Sequence, residues 1–239
     1  MNNSFSCYSL SLAEIKVPVR FLFPDTAKLF REYCASEQPE QAGLFLSEED
    51  WAWGKQIGFE KNPLAEYSLF TASISEYLLD YKRCVVHAVA FSHEGRGWLI
   101  TAPSGVGKST QIKTLQKLYP GEFSVICGDR PVLQLTDDDR VVVHPSPWNG
   151  KEDWYGAQAA PLEGIVCLRR GEENSLSILS SRQAAIPVFS AMIHNGSSEE
   201  KIHQVAAFET ELLKRVPVWM LTNKGVPDST ELLYRELFA

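Results

Sequence analysis

Ala102-Pro103-Ser104-Gly105-Val106-Gly107-Lys108-Ser109 is the stretch of sequence that decides the fold. It fits the eight-position phosphate-loop pattern, with alanine at the first position, where glycine is commoner. The apolar segment GWLITA before it is predicted to be a strand, and KSTQIKTLQKLY after it has helical spacing. Because the pattern requires a strand before it and a helix after it, we predict a nucleoside triphosphate site here.

Each residue type in this loop has a physical reason. Gly105 and Gly107 allow backbone conformations that turn successive N–H groups onto phosphate oxygens. The helix that starts at Lys108 adds the partial positive charge of its N-terminus. Lys108 is expected to reach the β- and γ-phosphates, and the Ser109 hydroxyl to bind Mg²⁺. The predicted ligands are ATP and Mg²⁺, and the predicted nucleotide-binding residues are Ser104, Gly105, Val106, Gly107, Lys108, Ser109 and Thr110.

The chain divides into two predicted parts. Residues 1–82 form an N-terminal α+β region, assigned to substrate recognition or to a flank of the core, with a predicted helix over 62–83 and a predicted strand over 43–47. Residues 83–239 alternate predicted strands and helices around the phosphate loop, which is typical of an α/β domain. We therefore predict an α/β protein with a phosphate-loop catalytic domain over 83–239.

Composition limits the class of protein. Of 239 residues, 44% are hydrophobic and the formal net charge is −7, which disfavours binding to nucleic acid or to a membrane surface. No stretch approaches the ~18 apolar residues of a membrane-spanning helix, and no signal peptide is recognised. The five scattered cysteines predict neither a zinc site nor a disulfide framework, so a cytoplasmic location is expected.

Two further segments carry a resemblance to a known family. VVHAVAFSHEGRGWLITAPSGVGKSTQ (85–111) and FSVICGDRPVL (123–133) resemble the catalytic domain of HPr kinase/phosphorylase, whose fold the ATP-dependent phosphoenolpyruvate carboxykinases distantly share. His87 matches the family's histidine on the strand before the loop. Asp129 matches the second acid of an Asp-Asp pair that serves Mg²⁺ and the proton of the attacking serine hydroxyl. The resemblance implies a kinase with His87, Lys108 and Asp129 as catalytic residues and with Ser109 and Asp129 at the metal.

The chain also departs from that family. Gly128 stands where the first acid of the pair is expected, so Glu152 or Asp153 becomes a candidate replacement. The family's later signature is replaced by HPSPWNGKEDWY, which we call the aromatic loop (144–155). Its stiff prolines and its tryptophans suit either substrate contact or packing on the core. Trp148 and Lys151 are predicted substrate residues, and so is Arg169, at the end of a buried strand, where it either clamps a phosphoryl group or is solvated.

Three functions remain open at this level. The leading one is an ATP-dependent kinase that phosphorylates a hydroxyl, on serine of a peptide or protein other than HPr. A small-molecule kinase is the second, and a nucleotide-binding module without phosphotransfer is the third, for which Gly128 is the main argument. Phosphoenolpyruvate carboxykinase activity is the least favoured, because the chain is short for that family's extra substrate domain. The sequence leaves the oligomeric state open.

Overall fold

The computed structural model describes residues 6–35, 43–152, 154–156, 158–196 and 198–239, and these form a mixed α/β protein with one large mixed sheet. The strands are β1 (Ser6–Leu12), β2 (Ile15–Phe21), β3 (Cys34–Ala35), β4 (Arg83–Val85), β5 (Ala88–His93), β6 (Arg96–Thr101), β7 (Phe123–Cys127), β8 (Val132–Leu135), β9 (Val141–His144), β10 (Ala160–Arg170), β11 (Ser175–Leu179) and β12 (Val218–Asn223). The helices are α1 (Thr26–Leu29), α2 (Glu48–Gln56), α3 (Pro63–Leu79), α4 (Lys108–Leu118), α5 (Ser181–Phe189), α6 (Glu199–Arg215) and α7 (Asp228–Leu237), with 3₁₀ turns at Arg31–Tyr33 and Gly150–Glu152. None of the helices in these ranges is long and apolar enough to cross a membrane.

The large sheet is built around β10. This strand runs parallel to β6 on one side and to β12 on the other, and its first residues pair with β9 in the antiparallel sense. β5 and β7 continue the sheet beyond β6, β11 lies beyond β12, and β8 and β4 lie beyond β9. The phosphate loop therefore connects the central strand β6 to helix α4, as the sequence predicts, and β7 ends close to it.

The N-terminal region has a smaller sheet of its own, in the order β2-β1-β3. Helix α3 was predicted over 62–83 and spans Pro63–Leu79, so the prediction runs four residues past its end. Its N-cap residue is Asn62, whose side chain accepts a hydrogen bond from the Ala65 amide at 2.9 Å. The strand predicted over 43–47 is wrong, because this segment makes only a single bridge, between Leu44 and Val19. Strand β2 and helix α2 were not predicted.

The two predicted parts of the chain share one hydrophobic cluster. Phe21, Phe30 and Phe70 of the N-terminal region are fully buried in it, together with Val132 and Trp148 from beyond residue 82. The boundary between 82 and 83 stays a prediction, but the N-terminal region is packed directly against strands and loops of the phosphate-loop part.

Candidate functional site

The phosphate loop has the backbone shape that its glycines predict. Gly105 has φ +77° and Gly107 has φ +120°, a region that other residues rarely adopt. Gly107 is the N-cap residue of the 11-residue helix α4, and no side chain from the described ranges caps that end. The first N–H groups of α4 are thus left for an anion, and the helix dipole favours negative charge there.

Lys108 lies inside the loop and is only 9% exposed. Its Nζ donates to the Ala102 carbonyl at 2.9 Å and lies 3.1 Å from His87 Nε2. Burial lowers the pKa of Lys108 from its ordinary value, and the negative charge of Asp129 partly opposes that shift. A bound phosphate would compete with His87 Nε2 and the Ala102 carbonyl for the N–H groups of this ammonium.

Asp129 lies two residues beyond the end of β7 and faces the same loop. Its Oδ1 lies 3.4 Å from His87 Nε2, and its Oδ2 lies 3.2 Å from Arg130 Nε. Burial raises the pKa of this carboxyl, but a hydrogen bond from His87 and the positive charges of Arg130, His87 and Lys108 outweigh burial, so the net shift is downward. Asp129 is therefore ionised at neutral pH and able to accept a proton.

His87 connects the lysine to the carboxylate through a single ring nitrogen. Nε2 accepts from Lys108 when it carries no proton and donates to Asp129 when it does, so the two contacts are alternatives set by the tautomer. The backbone of His87 is fixed on both sides, because its N–H donates to Ala191 at 2.7 Å and its carbonyl accepts from the Thr101 hydroxyl at 2.9 Å. The Nε2 atom of His87 therefore lies within reach of both Lys108 and Asp129.

The position before Asp129 has no room for a side chain. A Cβ on Gly128 would lie 2.4 Å from the Asn149 carbonyl oxygen, and the Gly128 N–H donates to the Asn149 side chain at 3.1 Å. The aromatic loop thus occupies the space that a first acid would need. Asn149 was missed by the sequence reasoning, because only the folded chain brings it against Gly128.

The aromatic loop also delivers a second carboxylate to the phosphate loop. Glu152 lies beside the loop and forms an ion pair with Lys113 of α4. Lys151 lines the same cavity. Glu152 therefore lies in the cavity where an acid replacing the one absent at Gly128 would be needed. Asp153, the other candidate, lies outside the described residues.

These groups surround a cavity of about 660 Å³, which we call the phosphate-loop cavity. A volume of this size is within the range of small-molecule sites, ~300–1,000 Å³. Ser109 and Asp129 both line it, and their side-chain oxygens are hard ligands of the kind that Mg²⁺ prefers. A protein usually supplies one or two such ligands, and phosphate oxygens and water supply the others. No group of three or more His, Cys, Asp or Glu side chains in the described ranges could hold a metal alone. The oxygens of Ser109 and Asp129 thus fit Mg²⁺ bound together with a nucleotide. Six of the seven predicted nucleotide-binding residues line this cavity: Ser104, Gly105, Gly107, Lys108, Ser109 and Thr110.

Two predicted substrate residues lie outside the phosphate-loop cavity. Trp148 is only 2% exposed and packs edge-on against Phe30, with ring centroids 5.8 Å apart, and it also lines a second cavity described below. Its burial favours the packing alternative, and its substrate role stays a prediction. Arg169 donates to the Thr222 hydroxyl at 3.0 Å and lines a mostly apolar cavity beside α5, which shares His87 with the phosphate-loop cavity. Its neighbour Arg170 instead reaches the phosphate loop and donates to the Gly105 carbonyl at 2.9 Å.

A second cavity, of about 430 Å³, adjoins the first, and we call it the N-terminal cavity. Lys28, Arg31 and Tyr67 line it from the N-terminal region, and Tyr155 lines it from the aromatic loop. Asp129, Arg130 and Gly150 line both cavities. Lys28 and Arg31 could not be predicted from the sequence, because neither belongs to a recognisable motif and their positions depend on how the two parts pack.

Comparisons with known proteins add one structural likeness. No protein family model matches the chain, and no curated protein matches it. Among solved structures, the Hpr(Ser) kinase/phosphatase from Coxiella burnetii is similar over 64% of this chain and 94% of that chain, with 15% sequence identity and a TM-score of 0.38. A likeness at this level says nothing about the activity of this chain.

Proposed function

We propose that the chain is an ATP- and Mg²⁺-dependent kinase that transfers the γ-phosphoryl group to a hydroxyl, on serine of a peptide or protein. One observation carries this proposal. A phosphate loop and an ionised carboxylate, Asp129, line a single cavity, with His87 between Asp129 and Lys108. Phosphoryl transfer needs little else from a protein, since it depends mostly on positioning and on charge stabilisation.

The loop would hold the phosphates. The N–H groups of 105–109 and the start of α4 suit the β-phosphate, and Lys108 is within reach of the β- and γ-oxygens. Ser109 and Asp129 are the residues that would hold Mg²⁺. When bound, Mg²⁺ would neutralise charge on the β- and γ-phosphates. Lys108 would then turn away from His87, leaving Nε2 for Asp129.

Asp129 would act on the acceptor. A serine hydroxyl is a weak nucleophile at neutral pH, and a carboxylate within hydrogen-bond reach orients it and takes its proton. The hydroxyl oxygen forms a bond to the γ-phosphorus, the bond from that phosphorus to the β,γ-bridging oxygen breaks, and ADP leaves. The proton passes to Asp129 and then to water. His87 and Arg130 keep the carboxylate ionised and oriented.

Nucleotide binding without phosphotransfer is the second candidate, favoured by the absence of a side chain at Gly128. The structure weakens that argument, because the space is filled by Asn149 and another carboxylate, Glu152, lies in the same cavity. A single carboxylate at 129 is sufficient for base catalysis in principle.

The test compares Asp129→Asn with Lys108→Ala. ATP affinity is measured by calorimetry with Mg²⁺, and transfer is measured from γ-labelled ATP to pools of serine peptides. Asp129→Asn should bind ATP within about tenfold of wild type and lose ~10²–10⁴ in the rate of transfer. Lys108→Ala should lose ATP binding itself, because a charge on the phosphates is removed.

The matched control is Asp138→Asn, since Asp138 is an exposed acid in the β8–β9 turn, paired with Arg140. It should leave both measurements unchanged. Wild-type protein that binds ATP and phosphorylates nothing in any pool would favour the binding module. Near-wild-type transfer by Asp129→Asn would remove Asp129 as the base.

A further inference from the structure

The mostly apolar cavity beside α5 has a volume of about 400 Å³, and we call it the apolar cavity. Eight of the twelve residues that line it within the described ranges are apolar. Leu168 of β10 and Met220 of β12 line it from the sheet, and Ile186 and Pro187 line it from α5. Because burial of apolar surface is favourable, such a lining suits an apolar group of a ligand.

The apolar cavity adjoins the phosphate-loop cavity. Ala102 and Pro103, the first two residues of the phosphate loop, line the apolar cavity, and His87 lines both cavities. The Ala102 carbonyl accepts the hydrogen bond from Lys108 Nζ at 2.9 Å, so the loop that would hold the phosphates also forms a wall of the apolar cavity. A group in the apolar cavity is therefore next to whatever the phosphate-loop cavity holds.

Helix α5 forms the opposite wall and is joined to the strand segment that carries His87. The His87 N–H donates to the carbonyl of Ala191, which follows α5 and lines the apolar cavity. The helix packs Ala184 and Val188 into the core, whereas Ile186 is 79% exposed. A single exposed aliphatic side chain is common on a protein surface. This one extends the apolar lining of a cavity to the surface.

The apolar cavity lies at one particular end of the proposed nucleotide site. His87 Nε2 is 3.1 Å from Lys108 Nζ and 3.4 Å from Asp129 Oδ1. In the proposed reaction Lys108 reaches the β- and γ-phosphates, and Asp129 faces the hydroxyl that attacks the γ-phosphorus. His87 therefore marks the γ-phosphate end, whereas the nucleoside is attached at the other end of the triphosphate. A cavity beside His87 is thus closer to the acceptor than to the nucleobase.

We propose that the apolar cavity selects the acceptor, and that the acceptor is a peptide with a large apolar side chain close to the serine that is phosphorylated. This inference rests on the proposed kinase function. The apolar side chain lies between α5 and the phosphate loop, and the serine hydroxyl lies beyond His87 at Asp129. Asp129 takes the hydroxyl proton as the new O–P bond forms and ADP departs. Arg169, a predicted substrate residue, lines the same cavity.

The experiment uses the full chain and matched acceptors. Capped serine peptide pools carry either Leu or Asn, which are similar in size, at one position flanking the serine at a time. Transfer is measured from γ-labelled ATP with Mg²⁺. In wild type the Leu peptides should have the higher kcat/KM by about tenfold or more at one flanking position at least, the discrimination expected of an apolar pocket.

Two variants locate the effect in the apolar cavity. Ile186→Asp places a charge at its rim, and Ser190→Trp places an indole on a small residue of its lining. Each should raise KM for the preferred Leu peptide by about tenfold or more with a smaller change in kcat, and neither should change ATP affinity. Ile186→Val should keep most of the preference. Ile178→Asp is the matched control, because Ile178 is 66% exposed on the neighbouring strand β11 and is not part of the lining.

Four outcomes count against the inference. Equal use of Leu and Asn peptides overturns it and leaves the kinase proposal standing. Equal losses in Ile186→Asp and Ile178→Asp also overturn it, since the effect would then be on the packing of α5 and β11. A loss of ATP affinity in Ile186→Asp and Ser190→Trp, with normal affinity in Ile178→Asp, would assign the cavity to the nucleoside instead. Transfer to no peptide in any pool, with intact ATP binding, refutes the kinase proposal and this inference with it.

Discussion

Two loops face the phosphate-loop cavity, and they differ in what determines their conformation. The phosphate loop exposes its backbone, with two glycines at positive φ and an uncapped helix end. The aromatic loop instead buries the side chains in its first half: Ser146, Trp148 and Asn149 are each no more than 3% exposed. The first loop is therefore specified by its own residues, whereas the position of the second is set by what it packs against.

Several packing partners of the aromatic loop are in the N-terminal region. The Tyr67 hydroxyl donates to the Pro147 carbonyl at 2.6 Å, and Trp148 Nε1 donates to the Tyr67 carbonyl at 3.3 Å. These bonds join residues about eighty positions apart in the chain. The loop that closes the space at Gly128 is therefore held in place by a region that itself carries no recognisable catalytic motif.

The largest effect that separates the two loops is expected for Trp148→Ala. Removing a buried indole should lower the free energy of unfolding by ~3–5 kcal/mol. Denaturant unfolding measures this, and Trp53→Ala is the control, because Trp53 is 51% exposed on α2 and should change little. Normal stability combined with a raised acceptor KM would instead restore the substrate role that the sequence suggested for Trp148.

This contrast explains how much the sequence could predict. Gly105, Gly107, Lys108 and Ser109 sit in one continuous motif, and the predicted strand–loop–helix context was found. Helix α3 was predicted because its apolar spacing and its Asn-Pro start are local signals.

Other features depend on distant parts of the chain and could not be predicted. The burial of Trp148 could not be predicted, because tryptophan in a proline-rich loop is equally compatible with substrate contact and with packing on the core. The place of Arg31 at the N-terminal cavity could not be predicted, because it depends on contact with Tyr155, more than a hundred residues later in the chain. Helix α2 was missed because its start is marked only by a capping box between Ser47 and Asp50, which a search for apolar spacing does not detect.

Gly128→Ala tests the contact between the aromatic loop and the end of β7. The added Cβ would meet the Asn149 carbonyl, a backbone atom that cannot rotate away. We expect a loss of ~1–3 kcal/mol in unfolding free energy, typical of overpacking, together with a fall in transfer rate as the loop shifts. Gly58→Ala is less suitable as a control because of its positive φ, so Gly225→Ala, where nothing lies within 4 Å of the added Cβ, is preferred. An unfolding free energy and a transfer rate that stay unchanged in Gly128→Ala would mean that the aromatic loop shifts without cost.

Asp129, which lies where the two loops meet, should give a smaller, pH-dependent effect. Its pKa in the folded chain is lowered from 3.8, so its ionised form contributes stability above the pKa of the unfolded chain, and that contribution is lost as pH falls through the folded value. Asp129→Asn should be less stable than wild type by about 1 kcal/mol at pH 7. The difference should shrink below about pH 4. Thermal unfolding of both proteins between pH 7 and pH 3 measures it, and a constant difference would contradict the assignment.

The smallest effect concerns Glu152, which joins the aromatic loop to Lys113 of helix α4. Its ion pair with Lys113 is partly exposed, with side-chain exposures of 29% and 55%, so breaking it should cost only ~0.2–1 kcal/mol of stability. Lys113 is four residues beyond Ser109, and side chains at this spacing share a face of the helix. Glu152 thus lies on the Ser109 side of α4, where it could attract Mg²⁺ in place of the acid that Gly128 lacks.

Two variants separate these roles of Glu152. If the carboxylate only ties the aromatic loop to α4, Glu152→Gln and Lys113→Gln should have the same small effect on stability and the same Mg²⁺ requirement. If it also serves the metal, Glu152→Gln alone should raise the Mg²⁺ concentration needed for half-maximal transfer, because Lys113→Gln leaves the carboxylate in place and frees it from a competing cation. We expect the second result, with a rise of up to about tenfold, the lower end of the loss seen when a group supporting a metal is removed. Titration of Mg²⁺ at saturating ATP measures it, and equal Mg²⁺ requirements in the two variants would reduce Glu152 to a structural contact.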